Sequence, residues 1–409
     1  MSEMIKVPDG WEVKPFSDLA TINMGQSPES EFVNENQEGI AFLQGNADFG
    51  DVNPKELYWV TVPKKIAKKD DILISVRAPV GDMNIADKDY CIGRGLSALT
   101  IKKIDKKFGF YALFQERIQL GRLAQGSTFL AIGKNDFDKL LIKYPKEKKE
   151  QEKIAKILST LDKAIETTNR LIEKEKNIKK ALMQELLTNG IDKDGHIRTR
   201  ATHTYKESEL GLIPDEWEIV SLGQITKIVG GGTPSRDIEE YWKNGTIPWV
   251  TVKDLHDGLL IKESEEYITE KGLQSSATNL IEANNIITST RMGIGRFYIN
   301  EVDVTINQDM KALFAKDNID KQFFLWSLLL FGKKLEVLGT GTTVKGILLE
   351  DLKSLKLILP SMTEQKQIAK ILTTQDKKIA TEETNLAKLG ELKKGLMNDL
   401  LSGKVRAKI

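Results

Sequence analysis

Two long stretches of the chain place apolar side chains at alternating spacings of four and three residues. Neither stretch, 150–190 or 364–409, contains a proline. This pattern predicts two long α-helices, each with one narrow apolar stripe of the kind that forms a coiled coil. Polar side chains interrupt the stripes at Thr168, Glu175 and Lys179 and at Gln375, Glu382 and Lys393. The predicted interface positions are Ile154, Leu158, Leu161, Ile165, Ile172, Leu182 and Leu186 in the first helix and Ile368, Leu372, Ile379, Leu386, Leu389, Leu396 and Leu400 in the second.

Each apolar stripe is too narrow for a helix that is buried on all sides, so each helix needs a partner. Because the two stripes share one pattern, we expect the helices to pair with each other. The alternative, in which each helix packs separately on its own domain, remains open. The glycines of "TNGI" (188–191) and "SGKV" (402–405) predict where the helices end.

The sequence contains two similar copies of one pattern. "VPDGWEVKPFSDLATINMGQSPES" (7–30) aligns with "IPDEWEIVSLGQITKIVGGGTPSR" (213–236), and "DILISVRAPVGD" (71–82) aligns with "NIITSTRMGIGR" (285–296). The starts of the predicted helices, "EQEKIAKILSTLDKAI" (150–165) and "EQKQIAKILTTQDKKI" (364–379), also match. The chain therefore contains an internal duplication.

Each copy begins with short β-rich runs and helix-like stretches broken by Gly, Pro and Asn, which indicates a compact α+β domain. The predicted fold is α+β: two similar α/β domains joined by two long antiparallel coiled-coil helices, with approximate two-fold symmetry from the duplication. The predicted boundaries are 1–149 for the first domain, 150–190 for the first helix, 191–211 for an exposed polar linker, 212–363 for the second domain and 364–409 for the second helix and tail.

The composition indicates a soluble cytoplasmic protein. Hydrophobic residues make up 40% and charged residues 29% of the 409 positions. The longest apolar run, "FFLWSLLLF" (323–331), is far shorter than the roughly 18 residues of a membrane span. Cys91 is the only cysteine, so an internal disulfide is excluded, and the cysteine and three histidines form no metal-ligand spacing. The net charge is +1 with no strongly basic arm, so a nucleic-acid partner would have to meet a local face or be held by other proteins.

The residues also argue against catalysis. "KIVGGGTPSR" (227–236) resembles a phosphate-binding loop, but the first copy, "INMGQSPES", retains only a Gly-x-Ser-Pro turn. No Lys-Ser/Thr pair follows either loop as a Walker A motif requires. Asp9, Glu12 and Lys14 in "PDGWEVK" mimic a nuclease pattern, but they are too tightly spaced for a metal pocket. We therefore predict no catalytic residues and no bound cofactor or metal in this chain.

Several motifs resemble those of a known family. They are "GGGTPSR", "YW" and "GTIPWVTVKDL" within 230–255, "ITSTRMGIG" (287–295), "GTGTTVKGI" (339–347), "LPSMTEQKQIAKIL" (359–372) and "LKKGLMNDLLSGK" (392–404). In this order they resemble the specificity (S) subunit of type I restriction–modification systems, and the resemblance covers both copies. The first copy departs most from the family pattern, in "INMGQSPES" and "FLQGNADFG".

The resemblance implies a non-catalytic subunit that binds double-stranded DNA. Each target-recognition domain would read one half of a split site, and the helices would set the spacer between the halves. The helices would also dock two methyltransferase (M) subunits, and endonuclease–translocase (R) subunits would join them. Methylation of adenine N6 would use S-adenosylmethionine held by the M subunit. A protein–protein scaffold that organises two copies of an enzyme remains the alternative.

The duplication sorts the candidate DNA contacts. Residues identical in both copies, such as Arg77 and Arg291, suit phosphate contact or fold support, whereas copy-specific polar residues suit base reading. Gly25 and Gly231 would set turns that bring backbone close to phosphate. The candidates in the first copy are Gly25, Gln26, Ser27, Gln44, Asn46, Arg77, Arg94, Gln125 and Ser127. Those in the second copy are Gly231, Thr233, Ser235, Arg236, Lys253, Arg291, Arg296, Gln308, Lys311, Thr342 and Lys345.

Overall fold

The computed structural model describes residues 7–50, 52–125, 131–255, 259–339 and 346–408. The chain forms two compact units. Unit 1 comprises Met1–Arg170 and Thr384–Ile409, and unit 2 comprises Leu171–Glu383. Each unit therefore contains one repeated domain together with part of each long helix.

In unit 1 the domain is built from two small sheets and a strand pair. The four-stranded sheet has the order Ala20–Met24, Leu96–Ile101, Ile72–Ser75 and Met83–Ile85. The five-stranded sheet has the order Val33–Asn34, Tyr58–Val60, Ile40–Leu43, Tyr90–Ile92 and Ile66–Ala67. Trp11–Pro15 pairs with Leu141–Pro145, and the helices of the domain are Phe16–Leu19 and Lys106–Gln125.

Unit 2 repeats this plan with one strand more in the first sheet and one strand fewer in the second. One sheet has the order Thr226–Gly230, Met310–Ala315, Ile286–Ser289, Phe297–Asn300 and Leu260–Ile261. The other has the order Tyr267–Ile268, Ile247–Val250, Val304–Ile306 and Leu280–Ile281. Glu218–Ser221 pairs with Lys356–Leu359, and Tyr205–Ser208 forms a hairpin with Gly211–Pro214. The helices are Leu222–Ile225, Glu270–Gln274, Lys321–Phe331, Lys334–Leu338 and Leu349–Ser354.

The two predicted long helices are confirmed and run over Lys148–Thr188 and Met362–Leu401. Gly190 and Gly403, with φ of 68° and 73°, follow their ends in the left-handed conformation that the glycine prediction requires. Among the predicted interface positions, Ile154, Leu158, Ile172, Leu186, Ile368, Leu372, Ile379 and Leu400 are buried. Leu161, Ile165, Leu182, Leu386, Leu389 and Leu396 are partly buried.

Four of the polar residues that interrupt the apolar stripes, Glu175, Lys179, Gln375 and Lys393, contact the opposite helix. In unit 2, Glu175 accepts hydrogen bonds from Gln375 Nε2 and Lys378 Nζ, both at 2.7 Å. In unit 1, Lys393 Nζ lies 2.5 Å from Asp162 Oδ1. These contacts join the two helices within each unit, so separate packing of each helix does not describe this structure.

A Glu-Gln pair fastens the start of each long helix to its own domain. Gln151 Oε1 accepts a hydrogen bond from the backbone N–H of Asp105 at 2.7 Å, and its amide donates to Pro145 O at 2.7 Å. Gln365 makes the same two bonds, to Asp320 and Pro360, at 2.9 Å each. The duplication is therefore repeated in detail at the junction of helix and domain.

The glutamate before each of these glutamines binds an arginine from the segment that follows the other long helix. In unit 2, buried Glu364 pairs with both terminal nitrogens of Arg198 and accepts a hydrogen bond from Trp217 Nε1 at 3.0 Å. In unit 1, Arg406 Nε and NH2 donate to the two carboxylate oxygens of Glu150, both at 2.6 Å. Each long helix therefore begins beside the residues that follow the end of the other.

The prediction of an exposed linker at 191–211 is wrong in part. Arg198 is only 7% exposed, and Tyr205–Ser208 is a strand of the hairpin. Gly190, just before this segment, packs so closely that a Cβ atom there would lie 2.2 Å from Trp217 Cζ2 and 2.3 Å from Glu364 Oε1. Most of the segment is exposed, but Arg198 neutralises a buried carboxylate, and composition alone does not distinguish such an arginine from one in a solvated tether.

Candidate nucleic-acid interface

In unit 1 the candidate residues come together on neighbouring loops. Gly25 N–H donates to Leu96 O at 2.9 Å, and Gln26 N–H donates to Ile92 O at 3.0 Å. The Ser27 hydroxyl oxygen accepts from the backbone N–H of Arg94 at 3.4 Å. The loop after Ala20–Met24 therefore lies beside the turn before Leu96–Ile101, with the Gln26 and Arg94 side chains exposed.

A second contact brings the loop after Ile40–Leu43 to the same region. Asn46 Nδ2 donates to Asp82 Oδ2 at 3.0 Å. Buried Asp48 accepts from the backbone N–H groups of Gln44 and Gly45 at 2.6 and 3.1 Å, which fixes the loop. The Gln44 side chain is exposed. This surface of unit 1 presents the amides of Gln26, Gln44 and Asn46, and Asp82 lies beside Asn46.

In unit 2 the glycine-rich loop lies beside the turn between Val304–Ile306 and Met310–Ala315. The Thr233 hydroxyl donates to Gln308 Oε1 at 2.5 Å. Lys311 Nζ donates to the carbonyl oxygens of Gln308 and Met310 at 2.8 and 3.0 Å. Burial lowers the pKa of the Lys311 ammonium. Arg291 NH1 lies 3.5 Å from Asp309 Oδ1. Four candidate side chains thus meet at one edge.

The paired glycines have a reason within the fold. A Cβ atom at Gly25 would lie 2.2 Å from Gly93 O, and one at Gly231 would lie 1.9 Å from Ile306 O. The paired arginines also have equivalent backbone contacts. Arg77 forms an isolated antiparallel β-bridge with Ala131, and Arg291 forms one with Gly346. All four positions therefore have structural roles, and their proposed approach to phosphate stays a prediction.

Arg236 pairs with a carboxylate and lies against two indole rings, although half of its side chain stays exposed. Its NH1 and NH2 donate to the two carboxylate oxygens of Glu266 at 2.5 and 2.9 Å, which lowers the pKa of that carboxyl. The guanidinium carbon lies 3.7 Å from the Trp242 ring centroid and 4.9 Å from that of Trp249. The two indole N–H groups hold the loop itself, donating to Ser235 O and Gly232 O at 2.9 Å each.

This arrangement makes Arg236 part of a clamp on the glycine-rich loop. To pair with guanine through both terminal nitrogens, the guanidinium would first have to leave Glu266. Base reading by Arg236 remains a prediction, but the geometry favours a positioning role. Trp242, Trp249 and Glu266 were not among the candidates predicted from the sequence, although both tryptophans lie within the quoted motifs.

The other candidates divide into two groups. Lys253, Arg296 and Ser235 are exposed. Lys253 lies in a loop that is held by a hydrogen bond from the backbone N–H of Thr251 to Asp254 Oδ2 at 2.7 Å. The Gln125 side chain and residues Ser127, Thr342 and Lys345 lie outside the described part of the chain.

Comparison with known proteins identifies the family. The family model for the "type I restriction modification DNA specificity domain" matches residues 8–176 and again 214–391. The chain belongs to this family. The two matches correspond to the two copies of the duplication, and they cover most of the chain.

Relatives of this specificity subunit bear the same description. A type I restriction enzyme specificity subunit of Methanocaldococcus jannaschii, MjaVIII, is 27% identical over 99% of this chain and 95% of its own length. A second protein of that organism, the putative MjaX specificity subunit, is 41% identical, but over 46% of this chain and 45% of its own length. The EcoR124I/EcoR124II specificity subunit of Escherichia coli is 34% identical over 46% of this chain and 48% of its own.

A solved structure shares the fold. The S subunit of a type I restriction–modification system from M. genitalium aligns over 99% of this specificity subunit and 98% of its own chain, with a TM-score of 0.61 and 19% identity. The predicted fold class, with its duplicated α/β domains and long helices, is confirmed. Among the helices of the described ranges, none is long and apolar enough to cross a membrane.

Proposed function

We propose that this specificity subunit recognises a split site in double-stranded DNA, with one domain for each half-site. The observation that carries the proposal is that corresponding loops of the two units present different side chains. Where unit 1 has Gln44 and Asp82, the aligned positions of unit 2 are Thr251 and Arg296. Two copies of one framework with different surface groups suit the reading of two different sequences.

The chemistry of the two surfaces suggests different bases. Exposed Gln and Asn side chains pair best with adenine, whereas Arg and Lys pair best with guanine. The unit 1 surface offers Gln26, Gln44 and Asn46, and the unit 2 surface offers Lys253 and Arg296. We therefore expect adenine to matter most in the half-site of unit 1 and guanine in that of unit 2.

The long helices would set the spacer between the half-sites. The first has 41 residues, so it is about 60 Å long at 1.5 Å per residue. Their exposed faces would dock the methyltransferase subunits, which would bind S-adenosylmethionine and methylate adenine N6, and endonuclease–translocase subunits would complete the complex. The net charge of +1 is consistent with partner subunits that supply much of the attraction to phosphate. The chain itself would contribute recognition and no catalytic group.

A methylation map of cells that express this chain with its methyltransferase partner tests the proposal. We expect N6-methyladenine in a two-part motif that disappears when this chain is omitted. Methylation that is independent of this chain, or none despite a soluble complex, would contradict the proposed function.

The spacer role needs a separate variant. One heptad can be removed from each long helix, 165–171 from the first and 384–390 from the second. Both heptads lie between the helix–helix contacts Asp162–Lys393 and Glu175–Lys378. Each deletion shortens a helix by about 10 Å, the length of roughly three base pairs. The methylated motif should keep both half-sites and lose up to about three spacer base pairs. Deletion of one heptad alone, which breaks the pairing, should abolish assembly, and an unchanged spacer in the matched variant would refute the idea.

A further inference from the structure

A cavity of about 330 Å³ opens on unit 1 beside the loop that follows Ala20–Met24. Its wall includes Ser30, Glu35, Phe42 and Tyr58, and it also reaches Gln44. The volume is within the range of small-ligand sites, at its lower end. Unlike the loops described above, this cavity is lined by aromatic rings and a carboxylate.

The strand register shows what occupies the same place in unit 2. Phe42 lies opposite Tyr58 on neighbouring antiparallel strands. In unit 2 the register of the corresponding strands places Trp249 opposite Glu266, and the backbone N–H of Trp249 donates to Glu266 O at 2.9 Å. Phe42 therefore corresponds to Trp249, and Tyr58 corresponds to Glu266.

The preceding loops complete the correspondence. Ser30 follows Pro28 by two residues, as Arg236 follows Pro234. Glu35 lies two positions before Gln37, whose backbone is in the left-handed conformation with a φ of 65°. Trp242 likewise stands two positions before Asn244, which has φ of 60°. The four wall residues of the cavity are thus the counterparts of the four residues of the Arg236 clamp.

In unit 2 this place is filled by a guanidinium that the chain supplies itself. Arg236 lies against the rings of Trp242 and Trp249 and pairs with the Glu266 carboxylate. Two aromatic rings and one carboxylate are the complete surroundings that a guanidinium needs for stacking and charge pairing. Unit 1 has the same groups in exchanged positions, with rings from Phe42 and Tyr58 and a carboxylate from Glu35, but its arginine is replaced by Ser30.

We propose that the unit 1 cavity binds the guanidinium group of an arginine side chain presented by a partner protein. The partner's arginine would take the place that Arg236 fills in unit 2, with its plane against Phe42 and Tyr58 and its N–H groups toward Glu35. This inference goes beyond the proposed DNA recognition: Ser27 and Gln44 also line the cavity, but the groups assigned to the guanidinium are Phe42, Tyr58 and Glu35, none of which is a candidate DNA contact.

The charge around the cavity favours a cation over a nucleotide. The segment 29–38, "ESEFVNENQE", carries four glutamates and no lysine or arginine. Glu29 pairs with Lys64 at 3.0 Å, and Glu31, Glu35 and Glu38 are exposed. Such a rim repels phosphate and attracts a positive side chain. Arginine is preferred to lysine because only a planar guanidinium can stack on the rings and pair with the carboxylate at the same time.

Ligand-observed NMR titration of the full-length chain tests this site. The probes are N-acetylarginine amide, N-acetyllysine amide with the same charge, and cytidine as a planar uncharged base. We expect the arginine probe to bind at least about tenfold more tightly than the lysine probe. The double variant Ser30→Arg/Tyr58→Glu places an arginine and a carboxylate where unit 2 has Arg236 and Glu266, so a resident guanidinium should block the cavity and lower affinity for the arginine probe at least about tenfold.

A second variant keeps the test valid if the double variant does not fold. Glu35 is exposed, so Glu35→Gln should leave the fold intact and still weaken arginine binding several-fold. Equal binding of the arginine and lysine probes would reduce the site to a negative surface and overturn the proposal. Tighter binding of cytidine than of arginine would assign the cavity to a nucleobase and overturn it as well. DNA methylation by the assembled complex, measured in parallel, reports separately on the proposed function.

Discussion

Replacing Arg198 by alanine should destabilise unit 2 strongly. The Arg198 side chain is 8% exposed and so is that of its partner Glu364, so the substitution leaves a carboxylate charge without its cation in a buried site. Breaking a buried pair from one side costs about 3 to 5 kcal/mol. Glu364 keeps hydrogen bonds from Trp217 Nε1 and the Ile191 N–H, both at 3.0 Å, so we place the loss near the lower end, about 3 kcal/mol.

Unit 1 supplies the matched control. Arg406 pairs with Glu150 in the same way, but the Arg406 side chain is 46% exposed. The Glu150 side chain is only 2% exposed, but water can enter the place of the half-exposed guanidinium and solvate the carboxylate, so Arg406→Ala should cost less unfolding free energy than Arg198→Ala. The two variants remove the same chemical group from corresponding positions, and they differ in how far solvent reaches the pair.

Urea unfolding of the full-length chain, followed by tryptophan fluorescence, measures both losses. Trp217 contacts Glu364 directly and reports on unit 2, and Trp11 lies in the core of unit 1. A loss of about 3 kcal/mol should lower the midpoint of the unit 2 transition by about 1 to 3 M urea. Combining Arg198→Ala with Glu364→Gln should recover part of the stability. If Arg198→Ala costs no more than Arg406→Ala, the burial argument is refuted.

Three further predictions concern single residues. Gly190→Ala should lower the free energy of unfolding by more than about 2 kcal/mol in the same urea assay, because of the backbone conformation of Gly190 and the clash described above. Gly195 has a φ of 84° but no neighbour within 4 Å, so Gly195→Ala should lower it by about 1 kcal/mol. Equal losses would contradict the clash. The hydrogen bond from Lys378 lowers the pKa of Glu175 below 4.5, so its stabilisation is present above that pH and lost as pH falls through the lowered pKa. Glu175→Gln should remove this part of the acid dependence of the melting temperature, and an unchanged pH profile would count against it. Trp249→Phe deletes one hydrogen bond of the loop and should weaken DNA binding by the complex about fivefold to tenfold without altering base preference. Mobility-shift assays with single-base variants of the motif measure both properties. A changed base preference would instead show that this loop reads the DNA sequence.

The long helices were predictable because a coiled-coil stripe is a local pattern that repeats along one segment. The partners of the polar interruptions were not. Glu175 is a break in the stripe when read alone, and it becomes a contact only beside Gln375 and Lys378, which are about two hundred residues away. Periodicity locates the apolar face, whereas polar pairing depends on the register between two distant segments.

The Glu-Gln pairs at the starts of the long helices show a second limit of prediction from sequence. Glu150 and Glu364 match in the two copies and begin equivalent helices, and their arginines, Arg198 and Arg406, end the similar tetrapeptides "GHIR" (195–198) and "GKVR" (403–406). A buried ion pair needs one charge of each sign at one point in space, and it places no demand on the sequence around either residue. Alignment of the copies therefore finds both the glutamates and the arginines, but it does not show that each glutamate pairs with the arginine that follows the other long helix.

The Arg236 clamp refines how a duplicated sequence indicates DNA readers. A residue that differs between copies suits base reading only if its neighbours stay the same. Arg236 differs from Ser30, but the three residues around Arg236 differ as well, so the change belongs to a packing arrangement that was exchanged as a whole. Lys253 and Arg296 are better candidates on a different ground, since their side chains are exposed and make no hydrogen bond or ion pair within the described ranges. They, rather than Arg236, are the unit 2 residues whose substitution should alter which base is preferred.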